Sequence, residues 1–187
     1  MSKKLDELVL IALERTHKGD KGFEFESFAQ KISRCKYGED FFATSPFKDD
    51  GIDGFITRIS EDLVVTKQGR PSTIFQYGTT EKFADKIKTT YTDLLAKGVI
   101  VKKIYYFSPR SISQITKHID ALEEELDIVI SIFDQAHFGV MASNGECERI
   151  FREFVATMIG SLESEDDKNI TLDYPALYLS AWYKYEN

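Results

Sequence analysis

Apolar residues recur along the chain with two spacings, and the change from one to the other marks the elements. Leu5, Leu8, Val9 and Ala12 share one stripe, which predicts a helix over 3–16. Gly19 and Gly22 break it. Phe25, Phe28, Ala29 and Ile32 predict a second helix over 23–33. Gly38 and Pro46 then bracket a short strand at 41–44, and Asp49-Asp50-Gly51 is turn chemistry. β-Branched and aromatic residues predict a strand over 52–59, a further strand piece at 63–66, a hairpin turn at Gln68-Gly69-Arg70-Pro71 and a strand at 73–77. Phe83, Ile87, Tyr91 and Leu94 mark a helix capped by Thr79 or Thr80 and stopped by Gly98. A strand at 99–107, a helix at 111–125, a strand at 127–133 and a helix at 147–162 complete the pattern.

The order is helix, a three-strand meander, then helix and strand alternating. Strands and helices mixed within one domain predict an α/β fold with a mixed central sheet flanked by helices. The expected domain spans 1–162. Residues 163–187 form an acidic linker followed by a segment carrying Tyr174, Tyr178, Trp182, Tyr183 and Tyr185.

Composition narrows the class. With 187 residues, 42% of them hydrophobic and 29% charged, the chain can bury a core of its own, which excludes collagen-like and wholly disordered readings. No apolar run reaches the roughly 18 residues of a membrane span. Two cysteines, Cys35 and Cys147, lie far apart without CxxC spacing, which predicts neither a disulfide framework nor a zinc ribbon and makes a reducing, cytoplasmic setting the default. The net charge of −7 is unevenly spread. Residues 1–118 hold 20 Lys and Arg against 16 Asp and Glu, whereas residues 119–187 hold 4 against 15. The mildly basic first part leaves nucleic acid open as a partner. The acidic part reads as a solvated surface, or as a face turned toward another domain.

Metal-dependent phosphodiester cleavage needs a carboxylate for Mg²⁺, further oxygen ligands and a nearby cation. Asp53 opens a strand after a glycine turn. Gln76 lies near the end of the next long strand, with the Tyr77 carbonyl beside it, and Glu26 stands on the second helix next to its apolar stripe. His17, His118 and His137 show no mutual ligand spacing, and there is no P-loop, GxGxxG or Ser/His/Asp arrangement.

The segments GFEFESFAQKI, DDGIDGFITRI, TIFQYG and VKKIYYFS, in that order, resemble the PD-(D/E)xK nuclease superfamily, and within it the Mrr-type restriction-endonuclease branch. The resemblance covers about residues 22–133. It implies a restriction-endonuclease-like sheet and a Mg²⁺- or Mn²⁺-dependent endonuclease acting on DNA, double-stranded as the first expectation. It assigns the metal to Asp53 and Gln76, with Phe25-Glu26 at the helix position, and the Tyr77 carbonyl is a further hard-ion ligand by its own chemistry. It also implies a possible homo-oligomer, and an effector role in a prokaryotic defence protein with a fused or associated sensor or ATPase.

The chain departs from the pattern at one point. The family's lysine, two residues after the glutamine, is Gly78 here. Either a nearby cation replaces it, Lys82 first and Lys86 one turn later, or the domain is a catalytically degenerate module for nucleic-acid binding or assembly. A small-molecule enzyme on the same sheet has no motif in its favour.

Overall fold

The computed structural model describes residues 5–19, 21–44, 52–56 and 73–160. The chain runs α1 (Leu5–Lys18), α2 (Gly22–Tyr37), a tight helical turn (Gly38–Asp40), β1 (Phe41–Ala43), β2 (Gly54–Ile56), β3 (Thr73–Tyr77), α3 (Phe83–Ala96), β4 (Lys103–Phe107), α4 (Ile115–Leu126), β5 (Val129–Phe133), α5 (Gln135–Ser143) and α6 (Glu148–Gly160). The five strands form one mixed sheet in sequential order. β1, β2 and β3 are antiparallel, while β3, β4 and β5 are parallel and joined through α3 and α4.

β3 is the central strand, and all five of its residues are buried. Its alternating side chains feed two cores. Ile74 joins Ile104, Ile130 and Ile132 under Ile87 and Leu94 of α3 and Leu122 of α4. Phe75 and Tyr77 join Phe107 under α1, α2, α5 and α6, in a core that includes Phe25, Phe28, Phe138, Phe151 and Phe154. Both faces of the sheet are therefore covered by helices, as buried parallel strands require. Gly54 lets the edge close: a Cβ there would lie 2.6 Å from the Phe41 ring.

Several sequence expectations change. The strand expected over 99–107 is regular only from Lys103, although Val99 and Val101 are buried on the way in. α3 begins at Phe83 rather than after Thr79 or Thr80. α5 was not anticipated. Its Asp134 cap takes the N–H groups of Ala136 and His137, which is the usual way to start a helix. The expectation of two separate cysteines is also corrected. The fold brings Cys35 and Cys147, 112 residues apart, to a Cα separation of 6.1 Å and joins them in a disulfide. The expected turn at Asp49–Gly51, the strand piece at 63–66, the hairpin at 68–71 and the acidic and aromatic segment at 163–187 lie outside the described residues. No helix among the described residues is long and apolar enough to cross a membrane.

Candidate functional site

In an open parallel sheet, crevices form beyond the carboxyl ends of the strands. Here β3 ends at Tyr77, and the chain leaves through Gly78-Thr79-Thr80 before α3 begins. A hollow of about 280 Å³ opens at this point, lined by Gly22, Glu26, Tyr77, Gly78, Thr79, Thr80 and Lys86.

Asp53 stands just ahead of β2, against the end of β3. Its main chain donates to the Phe75 carbonyl at 2.9 Å. Its carboxylate Oδ2 accepts the Tyr77 N–H at 2.5 Å. A side chain thus takes a main-chain donor at the point where the strand pairing ends. The Asp53 carbonyl accepts the Thr44 N–H at 3.3 Å and the Gln30 amide at 3.5 Å. That same amide donates to Glu26 at 3.2 Å, so α2 sets Glu26 and the Asp53 main chain by one side chain.

Lys86 enters from the first turns of α3. Its Nζ donates to the Tyr77 carbonyl and lies 4.0 Å from Asp53 Oδ2. The Asp53 side chain is 13% exposed and that of Lys86 35%, so the pair is sheltered without being sealed from water. Burial first, then the Asp53 and Glu26 charges, push the Tyr77 phenol well above its ordinary range, while its hydrogen bond to Ser33 Oγ opposes them. Both carboxylates therefore act on the same ring.

Gly78 explains why the cation arrives from α3. A Cβ at this position would lie 2.5 Å from the Tyr106 hydroxyl and 3.3 Å from Lys86 Nζ. A side chain at 78 has no room, and the ammonium of Lys86 lies beside the point where it would begin.

The residues expected from sequence divide accordingly. Glu26, Asp53 and Tyr77 come together, and Lys86 joins them. Gln76 is fully buried, its Nε2 donates to Thr90 Oγ1 at 2.5 Å, and it is not among the residues that line the hollow. Lys82 is exposed ahead of α3 and, like Asp53, is not among the residues lining the hollow, but Asp53 is tied to that lining through Tyr77 and Lys86. Arg110 was not singled out in the sequence. Its Nε donates to the Thr79 carbonyl at 2.5 Å and its NH1 pairs with Glu81 at 2.8 Å. Burial and the Arg110 charge both hold the His17 imidazole below its ordinary range. The only sequence signal for Arg110 is its position just after β4, at the same end of the sheet as Gly78.

Among the described residues no group of three or more His, Cys, Asp and Glu side chains could hold a metal. What this end of the sheet offers instead is oxygen: two carboxylates and a main-chain carbonyl. Such donors suit a hard ion that keeps most of its own waters. Any such ion bound by Asp53 and the Tyr77 carbonyl would have to compete with the Lys86 ammonium.

No family model matches the chain, and no curated protein matches it in sequence.

Proposed function

We propose that the chain is a restriction-endonuclease-like domain that binds DNA and hydrolyses its phosphodiester bonds with Mg²⁺ or Mn²⁺, in a cytoplasmic setting. Lys86, rather than Lys82, supplies the cation. The observation that carries this reading is the Lys86 ammonium, 3.3 Å from the missing Cβ of Gly78 and 4.0 Å from the Asp53 carboxylate. The resemblance of the ordered motifs supplies the reaction, and the mixed sheet is compatible with it.

Asp53 and the Tyr77 carbonyl would hold the ion, with Glu26 across the hollow reaching it directly or through water. Bound there, the ion would lower the pKa of a water and neutralise charge on a phosphate oxygen. Lys86 would balance negative charge developing on the phosphate, a contribution of several kcal/mol in comparable sites. Gln76 holds α3, which carries Lys86, through Thr90.

A second reading has its own observation. The Lys86 ammonium already spans the Asp53 carboxylate and the Tyr77 carbonyl. An internal cation of this kind is what a nuclease fold kept for nucleic-acid binding or assembly would use in place of a metal.

Plasmid nicking with Mg²⁺ or Mn²⁺ separates the two. Metal-dependent cleavage is expected, lost with Asp53→Asn, reduced by about 10²-fold or more in Lys86→Met, and near wild type in Lys82→Ala. Circular dichroism of each variant checks the fold, since Asp53 also holds Tyr77. Dependence on Lys82 with indifference to Lys86 would sink the assignment of the cation. DNA binding without cleavage in any metal would establish the second reading.

A further inference from the structure

The Cys35–Cys147 disulfide belongs to no part of the proposed chemistry: it joins α2 to the residue before α6, whereas Lys86 is on α3. Cys35 lies in the last turn of α2 and is exposed. Cys147 precedes α6, where its carbonyl accepts the N–H groups of Ile150 and Phe151. The bond therefore ties the end of one helix to the start of another. Cys147 holds φ at +52°, in the left-handed region that a residue with a Cβ seldom adopts.

The same two helices are fixed elsewhere. The Phe28 and Phe154 rings stack at 4.0 Å, and Lys31 pairs with Glu153 at 3.3 Å. Neither contact passes through the disulfide. Next to the bond lie the turn that carries Tyr37 onto Phe75 and Tyr105 at 5.1 and 5.2 Å, and the segment leading into α6. Residues next to the two cysteines, Lys36 and Glu146, line a shallow hollow of about 270 Å³ together with Phe133, His137 and Val140. Lys36 lies over the Phe133 ring at 5.0 Å.

We infer that Cys35–Cys147 is a reversible redox clamp, which fixes this wall of the hollow when oxidised and releases it when reduced. A dithiol reductant supplies two electrons and two protons. The bond between the two sulfurs breaks, Cys35 and Cys147 become thiols, and the reductant closes its own disulfide. Three features favour a switch over a permanent staple: one sulfur-bearing residue is exposed, Cys147 has an unfavourable backbone to relax, and independent contacts preserve the core. The inference rests on the cytoplasmic setting proposed above, because a disulfide in a reducing compartment is characteristically of this transient, sensing kind. The inference does not depend on nuclease activity.

The test uses the full chain, oxidised with glutathione disulfide and then titrated with dithiothreitol. Free thiols are counted by maleimide mass shift, and hydrogen exchange is followed by peptide. No free thiol is expected before reduction and two after it, with unchanged far-UV circular dichroism and full recovery on reoxidation. Amide exchange is expected to rise about tenfold in peptides covering 33–37 and 144–150, and to stay unchanged in 73–77 and 103–107. Cys35→Ser/Cys147→Ser should show the reduced pattern with or without reductant. Thiols that stay free in the oxidised sample, or that pair between two chains, would overturn the clamp. So would global unfolding on reduction, which marks a staple, or exchange that ignores the redox state.

Discussion

The two faces of the sheet are built from different materials. The α3 and α4 face is aliphatic, with Ile74, Ile87, Leu94, Ile104, Ile130 and Ile132 at its centre. The opposite face is aromatic: Phe28 alone meets Phe25, Phe138, Phe151 and Phe154 at centroid distances of 6.3, 5.4, 5.5 and 4.0 Å. Rings pack edge to face or offset, so that core is directional. Polar groups are buried on both sides: on the aromatic one the Tyr77 hydroxyl donates to Ser33 Oγ. Gln76 finds Thr90, but the Tyr106 hydroxyl is buried and meets no hydrogen-bond partner among the described residues. Departures from good packing gather where function is carried, and the Tyr106 hydroxyl lies against Gly78. The aromatic face is the directional one, but the site draws on both, with Glu26 from α2 and Lys86 from α3.

The largest effect should come from the aromatic face. Phe28→Ala removes a ring that is 3% exposed and touches four others, and is expected to cost about 3–5 kcal/mol in urea unfolding. The sharper contrast uses conservative swaps. Ile87→Leu can repack among aliphatic neighbours at less than about 1.5 kcal/mol. Phe28→Leu loses ring geometry as well as area and should cost more than that. Equal losses from the two swaps would show that the faces do not differ in specificity.

This contrast also explains what the sequence could reveal. The meander followed by alternating helices and strands was legible, because Thr73–Tyr77 and Lys103–Phe107 are short apolar runs bounded by glycine, threonine or proline. α5 was not, since Ala136, Phe138, Val140, Met141 and Ala142 leave no polar face to give a helical period. The disulfide was hidden by a sequence separation of 112 residues, which only the packing of α2 on α6 bridges. Glu26 and Asp53 stood out through their motifs, but the choice between Lys82 and Lys86 turned on where α3 starts. A helix begun at Thr79 or Thr80 puts Lys82 in its first turn. Begun at Phe83, it leaves Lys82 outside and turns Lys86 toward Asp53. The bond from Gln76 Nε2 to Thr90 on α3 is likewise a tertiary fact.

A middle-sized effect tests the crowded corner of the aliphatic face. Gly78→Ala forces a methyl to within 2.5 Å of the Tyr106 hydroxyl and is expected to destabilise by about 1–3 kcal/mol. Tyr106→Phe alone should be neutral or slightly stabilising, because it removes a buried hydroxyl with no partner. In the Gly78→Ala background it should recover part of the loss, although the ring carbon still lies 3.3 Å from the new methyl. Thermal unfolding of the two single variants and the double variant reads this directly. Strict additivity would mean that the hydroxyl is not what keeps position 78 a glycine.

The smallest effect lies at the joint between the faces. Asp134 caps α5 on the aromatic side and accepts the Ile112 N–H, ahead of α4 on the other. Burial by itself would raise its pKa, but the Ile112 N–H and the His137 side chain and N–H together hold it below the ordinary value. An unfolded aspartate titrates near about 3.9. Its folded value is lower, so the stabilisation is complete above that pH and is lost as the pH falls through the folded value. Asp134→Asn keeps the shape of the cap and removes the titration. Stability near neutral pH should drop by about 1 kcal/mol or less, and the difference from wild type should shrink on acidification below about pH 4. If wild type and variant instead lose stability in parallel across that range, the carboxylate is not what couples the two faces at this point.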